Sequence, residues 1–459
     1  ETPGQFNPDH IELNNIVGNI SLKALQTDSI NAQIKRLSFN EKSGFELDKL
    51  SLKVIANDKK MEVDHFAINL PNTSFELDTI RFQYNNLDNI KNFADSVHFS
   101  VNTLPSHLTP KDFSFFFPFL DAFEEEIELG LEASGTINDL HCSQLFINAN
   151  NHAFIRGEVS LQNLSNPEQA YIFADLSNIS ADKEGVKFLV NNFSRTATKV
   201  PPLLDRLGNL SFKGEIAGYF TDLVTYGLLR TDLGDIRTDL QLSSNREKEF
   251  FAFAGAIETE NFKLGELTAD NKLGDIHFNL TVNGRKERLK TYPEVDVKGV
   301  VSTFTYSDYT YENITIDGAY NQGGFEGALT LDDSNGAIEL YGAVNLSKQL
   351  PTFDFYATVR DLQPQNLNLT NLHEEAHLSL DIRANFTGST IDNVNGEINI
   401  DSLRFNSPEA NYFLPNFNVR AVNTSKENLL TVHSNFLDAR IAGKYAFNTL
   451  PTCLSSLLH

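Results

Sequence analysis

The chain has 459 residues, with 61 Asp and Glu against 37 Lys and Arg, a formal charge of −24. That balance excludes a nucleic-acid backbone as partner, because phosphates would be repelled, and excludes a polybasic membrane-surface anchor. With 41% hydrophobic and 21% charged residues it is a folding chain rather than a disordered one, and at roughly 150 residues per domain it holds about three domains or one unusually long one.

The apolar set contains 36 Phe and 13 Tyr, but no Trp and one Met, Met61. Aromatic and β-branched residues favour strands. Two cysteines, Cys142 and Cys453, are too few for a disulfide framework or a four-thiolate zinc site and read as free thiols. No run approaches the roughly 18 apolar residues of a membrane span. The opening Glu1-Thr2-Pro3 carries neither Met nor signal peptide. The expectation is a piece of something longer, with an anchor or signal upstream.

Three segments are expected in chain order: a β segment over 1–104, β structure with helical insertions over 105–210, and a long β region over 211–459. A phrase of Gly, any residue, an aliphatic and any residue opens at Gly18, Gly135, Gly157, Gly214, Gly255, Gly299, Gly327, Gly342 and Gly396. Its spacing is irregular, so it marks strands opened or bent at glycine, not a fixed-period solenoid.

Within 105–210, Thr109-Pro110-Lys111-Asp112 predicts a helix start with Thr as N-cap and Pro at the first helical position. Phe113, Phe116, Phe117, Leu120 and Phe123 continue at helical spacing, with Pro118 as a kink. The Glu124–Glu126 run reads as a solvated exit from that helix. A second helix is expected over 182–193, with Val186, Leu189, Val190 and Phe193 on one face. A short 203–207 turn after Pro201-Pro202, closed by Gly208, follows it.

From 211 onward the pattern predicts only strands and turns. Ile276, Phe278, Leu280 and Val282 alternate with polar neighbours, as do Phe325 to Leu331, Ile338 to Val344, Phe353 to Val359 and Leu378 to Phe386. Successive side chains of a strand point to opposite faces, so each segment has one apolar and one polar face. Turn signals at Asn283-Gly284, Asp317-Gly318, Gly323-Gly324, Asn335-Gly336 and Asn395-Gly396 separate them. Residues 453–459 break the alternation and read as a frayed or truncated end.

His373-Glu374-Glu375-Ala376-His377 is a literal H-E-x-x-H, the signature of a zinc metallohydrolase. That chemistry needs both His one turn apart on a helix, whereas Leu378, Leu380 and Ile382 begin a strand at once. In extended chain the two His stand about 13 Å apart, at about 3.3 Å per residue. A polar turn entering a strand is expected instead. Asp332–Gly336 resembles a calcium loop but has no acid at the twelfth position, and a hairpin turn suffices. No nucleophile elbow or phosphate loop occurs, so neither catalysis nor a cofactor is expected. The Phe content fits either sheet core or a groove for something apolar.

The phrases at 129–140 (LGLEASGTINDL), 207–214 (LGNLSFKG), 231–235 (TDLGD), 261–265 (NFKLG), 309–318 (YTYENITIDG) and 384–388 (ANFTG) carry a resemblance. In their order the sequence resembles the TamB family of the translocation and assembly module, in its Bacteroidetes form, within the AsmA-like group of Gram-negative envelope proteins. The resemblance covers roughly 128–405, more than half the chain. It implies a periplasmic β region between an inner-membrane helix and a domain that meets an outer-membrane barrel partner, neither end being present here. It also implies an elongated, curled, mostly antiparallel sheet with an apolar lumen, and no catalytic residues.

An apolar lumen has a physical use. Each exposed methylene costs about 0.8 kcal/mol, so a sixteen-carbon chain crossing water faces on the order of 12 kcal/mol. Curled alternating strands supply a trough that removes most of this. Phospholipid acyl chains are therefore the expected partner. Phe278, Leu280, Leu329, Leu340, Phe355, Leu380 and Ile382 are the candidate lining residues, chosen for their shared parity on consecutive strands. The same sheet could template nascent barrel strands by edge pairing. An extracellular adhesin or scaffold would carry the same alternation with its apolar faces sealed in sandwich cores.

Overall fold

Alternation leaves the chain one economical solution: antiparallel strands joined by short turns, with most apolar side chains on one side. The computed structural model describes residues 11–446 except 27–28, 43, 104, 115–124, 167, 195–201, 246, 248, 348, 371–374, 391, 425–426 and 445. Strands account for 71% of the residues and helices for 7%, so the fold is mainly β, and its pairings are antiparallel. The chain divides into two compact units, Glu1–Asp232 and Leu233–His459.

The first unit begins with β1 (Leu13–Gln26), β2 (Ser29–Glu41), β3 (Glu46–Asn57), β4 (Lys60–Leu70) and β5 (Thr73–Gln83). Next come β6 (His98–Thr103) and β7 (Ser106–Leu108), which share one rung between β5 and β8 (Ile127–Thr136). It ends with β9 (Asp139–Ala149), β10 (Ala153–Gln162), β11 (Tyr171–Ala181), β12 (Leu210–Tyr219) and β13 (Asp222–Thr231).

The second unit runs through β14 (Gly234–Ser244), β15 (Phe250–Lys263), β16 (Leu273–Glu287), β17 (Glu294–Tyr306) and β18 (Tyr309–Asn321). It continues with β19 (Gly324–Asp333), β20 (Gly336–Asn345), β21 (Thr352–Leu362) and β22 (His377–Thr387). The last strands are β23 (Asn395–Asn406), β24 (Asn411–Asn423), β25 (Asn428–Ser434) and β26 (Asp438–Gly443). Within this unit each strand pairs with the next in sequence, a continuous meander.

The helices depart from expectation in three places. Pro110–Phe113 forms a 3-10 turn, but the Thr109 hydroxyl does not cap it. It donates instead to the Asn72 carbonyl at 3.0 Å, which ties the turn to the start of β5. The continuation through Phe116, Phe117, Leu120 and Phe123 lies outside the described residues. A 3-10 turn over Leu87–Asn92 and a short helix α1 (Phe93–Ser96) fall before residue 105, where only strands were expected. Asn86 and Asn89 start this pair by capping each other's backbone N–H, at 3.2 and 3.0 Å. α2 (Lys183–Ser194) and α3 (Pro202–Arg206) match the expected positions. α4 (Leu264–Thr268) interrupts the β region that was expected to hold only strands and turns.

The sealed core is small. Ala149, Ala153, Ala181 and the α2 residue Val186 form one buried cluster, with Ile127, Phe188 and Leu210 packed against it. Along the strands of the second unit most of the large apolar side chains are half-exposed. The extensive contacts of each strand are with its ladder neighbours. A sandwich would bury such residues between two layers; among the described residues the second unit shows no such layer, whereas α2 covers part of the first unit's sheet.

Glycine and phenylalanine work together in this sheet. Gly318, Gly327 and Gly342 are successive partners across β18, β19 and β20. At Gly342 the backbone has φ +142°, and a Cβ would sit 2.2 Å from the Asp354 carbonyl oxygen. Only glycine allows that conformation and that approach of neighbouring strands. The Phe325 ring fills the space beside Gly318, where a Cβ would lie 2.5 Å from its Cζ. Phe353 and Phe386 stack across β21 and β22 with centroids 4.6 Å apart. These three rings thus cover backbone and one another instead of filling a closed core.

Candidate functional site

The register decides which side chains share a face. Phe278, Val301, Ile314, Leu331, Ile338, Val359 and Leu380 are successive partners from β16 to β22. The next row is Leu280, Gly299, Ile316, Leu329, Leu340, Ala357 and Ile382. Gly342, Phe355 and Ala384 belong to the row after that. Rows two residues apart on a strand point the same way. All seven residues singled out from the sequence therefore lie on one face of one unit, and all seven are half-buried.

A hollow of about 390 Å³ lies on this face over β16–β20. Its walls are Ile276, Val301, Phe304, Tyr306, Tyr311, Ile314, Ile316, Leu329, Leu331 and Ile338. Every wall is aliphatic or aromatic. The volume falls within the ordinary range of small-ligand sites, about 300–1,000 Å³. Of the seven sequence candidates only Leu329 lines it. Phe278, Leu280, Leu340, Phe355, Leu380 and Ile382 extend the same apolar face outside the hollow. Phe355 also borders a mixed polar hollow with Glu326, Asp354, Arg383 and Asn399.

Nine wall residues were therefore missed. Ile314 and Ile316 sit inside a visible alternation, as does Val301. The tyrosines at 306 and 311 flank the β17–β18 turn, outside the alternating runs picked out from the sequence.

A polar network stands at the turn end of this face. The Tyr309 hydroxyl donates to Asp333 Oδ1 at 2.6 Å and accepts from Asn335 Nδ2 at 2.9 Å. The backbone N–H of Glu312 donates to Asp333 Oδ2 at 3.1 Å, and that of Asn335 to Asp333 Oδ1 at 2.9 Å. Burial pushes the Tyr309 phenol up, and the Asp333 carboxylate adds to the shift. Burial likewise raises Tyr311, a wall residue whose hydroxyl donates to the Leu367 carbonyl at 3.0 Å. Asp332–Gly336 is a tight hairpin turn between β19 and β20, stabilised by this network.

The other sequence motifs are scattered. His377 opens β22 and pairs with Asp361 at 2.8 Å, so it stands on a strand where the zinc motif requires a helix. His373 and Glu374 lie outside the described residues. Among the described residues no group of three or more His, Cys, Asp or Glu is placed to hold a metal ion. Glu126 meets His107 at 3.0 Å and Glu125 accepts from Asn150, both at the surface. The Cys142 thiol is buried, which pushes its pKa up, and it donates to the Gln144 carbonyl at 3.0 Å. Cys453 and the rest of 453–459 lie outside the described residues.

The first unit has a larger hollow of about 680 Å³, but Glu132, Glu158, Asp175 and Arg156 line it together with Phe146. It is open and mixed in character. The apolar trough of the second unit is the better-defined site. No helix among the described residues is long and apolar enough to cross a membrane. Comparison with profiles of known protein families, with curated proteins and with solved structures finds no match.

Proposed function

We propose that this chain is the periplasmic β segment of a TamB-like envelope protein, and that its apolar face carries phospholipid acyl chains between membranes. The observation that carries the reading is the trough over β16–β20, walled by ten apolar side chains. It continues into rows of apolar partners out to β22. A hydrated, half-exposed apolar face of this extent costs free energy unless something apolar occupies it. The chain acts as a carrier and not as an enzyme, needs no cofactor, and meets its outer-membrane barrel partner through parts outside this sequence.

The absence of Trp makes the test direct. A Leu329→Trp variant has a single Trp on the trough wall. Its fluorescence should shift to the blue when phospholipid is added, and brominated acyl chains should quench it. A Trp placed at Lys298, on the opposite face, should respond to neither. Equal response at both positions, or at neither, removes the acyl-chain reading.

A further inference from the structure

The connection between β21 and β22 is not a simple turn. After Leu362 the chain leaves the ladder and runs across the turn ends of β20, β19 and β18. The backbone N–H of Gln363 donates to the Asn335 carbonyl at 2.8 Å. Asn366 Nδ2 donates to Asn335 Oδ1 at 3.0 Å. Asn368 Nδ2, 61 residues from its partner in sequence, donates to the Ser307 carbonyl in the β17–β18 turn at 3.0 Å. Between these anchors Leu367 is only 1% exposed, and its carbonyl accepts the hydroxyl of Tyr311, a wall of the trough.

This strap differs in kind from the strands around it. A strand is held by a backbone ladder on each side. Residues 363–369 are held by three side-chain bonds, a few turn-type backbone bonds and one buried leucine. Lifting them leaves every strand pairing of β16–β22 intact. The Tyr309–Asp333–Asn335 network stays behind as a preformed seat, because its bonds lie within β18, β19 and their turns. The strap is docked beside Tyr311, at the turn end of the trough, and lifting it would open that end to solvent.

We infer that residues 363–369 are a side gate at the turn end of the apolar trough, with the buried Leu367 as its anchor and Tyr311 and Asn368 as its latches, through which an acyl chain enters and leaves. The inference rests on the acyl-chain reading of the trough and adds the route. Charged or bulky headgroups find no partner among the trough walls. The gate therefore admits a chain sideways while its headgroup stays in water.

The test is kinetic. Ser307→Cys and Asn368→Cys are introduced together with Cys142→Ala and Cys453→Ala, and the new thiols are bridged with a short bis-maleimide. Binding of cis-parinaric acid is followed by stopped flow before and after bridging, with circular dichroism checking the fold. The bridged protein should load and release the probe about tenfold more slowly or worse, with its equilibrium affinity unchanged, as expected of a raised barrier. Tyr311→Phe keeps the ring but removes one latch, and should speed both steps by up to about tenfold, the worth of one hydrogen bond. Unchanged rates in bridged protein that still binds the probe overturn the gate and leave the trough standing. Failure of the unmodified chain to bind the probe at all overturns the trough reading, and the gate with it.

Discussion

Leu329 of β19 and Leu340 of β20 stand directly opposite each other on the ladder, yet the trough is walled by Leu329 and stops short of Leu340. The difference lies with the next neighbour. Leu340 faces Ala357 on β21, and Ala357 in turn faces Ile382. Both Ala357 and Ala384 are buried. Where alanine alternates with leucine or isoleucine, the large side chains close over the small ones and the face fills in. In the neighbouring row Val301, Ile314 and Leu331 put a large residue on each of β17, β18 and β19, and all three are walls of the hollow.

The glycine crease yields the first prediction. Gly342→Ala forces a Cβ to within 2.2 Å of the Asp354 carbonyl at a φ of +142°. It should destabilise the second unit by more than about 1 kcal/mol, since alanine is incompatible with that backbone. Gly130→Ala is the control: its Cβ would meet nothing closer than Phe146 at 3.8 Å, and stability should be unchanged or slightly higher. Urea denaturation of the two variants beside the parent measures both.

How much of this was legible in the sequence follows from the same physics. The parity of Phe278, Leu280, Leu329, Leu340, Phe355, Leu380 and Ile382 placed all seven on one face, because a period of two leaves a strand no other choice. The trough walls were not legible, because depth depends on which residues become neighbours across five strands and on bulges such as that between His277 and Phe278. α2 was legible in the helical spacing of Val186, Leu189, Val190 and Phe193; its start is held by Asp182, which accepts from the Gly185 N–H at 2.9 Å. α4 was hidden: five residues after a long strand carry too little periodicity to register. The strap was hidden most thoroughly, since Asn368 and Ser307 meet across 61 residues of intervening meander.

The docking of α2 should depend on pH. His152 at the β9–β10 turn pairs with Asp182 at 2.7 Å. The hydrogen bond that its ring N–H donates to Asp182 raises His152 above its ordinary 6.5, and the same bond lowers Asp182 below its ordinary 3.8. The histidine contribution is fully present below pH 6.5 and is lost as pH rises through the raised value. The aspartate contribution is fully present above pH 3.8 and is lost as pH falls through the lowered value. Amide-exchange protection of the first turn of α2, corrected for intrinsic exchange, should peak between these limits. It should also fall with added salt, since the pair is exposed. His152→Gln should abolish the loss on the alkaline side, and a profile identical to the parent's would show that the pair does not hold the helix.

Asp333 is buried and receives three hydrogen bonds, from Tyr309, Glu312 and Asn335. Asp333→Ala leaves those donors without their acceptor at a site with little water. It should cost about 2–3 kcal/mol, the usual penalty for orphaned buried groups. Tyr309→Phe removes one donor only and should cost about 1 kcal/mol. A double-mutant cycle by chemical denaturation should show the two losses to be less than additive, because both act on one bond.

A charge placed on the apolar face separates an open trough from a sealed core. In an open trough the new carboxylate keeps its water, so Leu329→Asp, Phe355→Asp and Leu380→Asp should each fold and lose only about 1–3 kcal/mol. An acyl chain passing such a carboxylate must strip its hydration, which is costly, so phospholipid transfer should fall most for Leu329→Asp, whose side chain is a wall of the hollow. Phe355 and Leu380 lie on the same face but outside it, and their variants should retain more transfer. A photo-crosslinking amino acid at Val301 or Ile338 should capture phospholipid in cells, whereas one at Asp317, on the opposite face beside Lys298, should not. If all three Asp variants unfold and no trough position captures lipid, these faces seal a core. The adhesin-like sandwich then becomes the better account of the same alternating sequence.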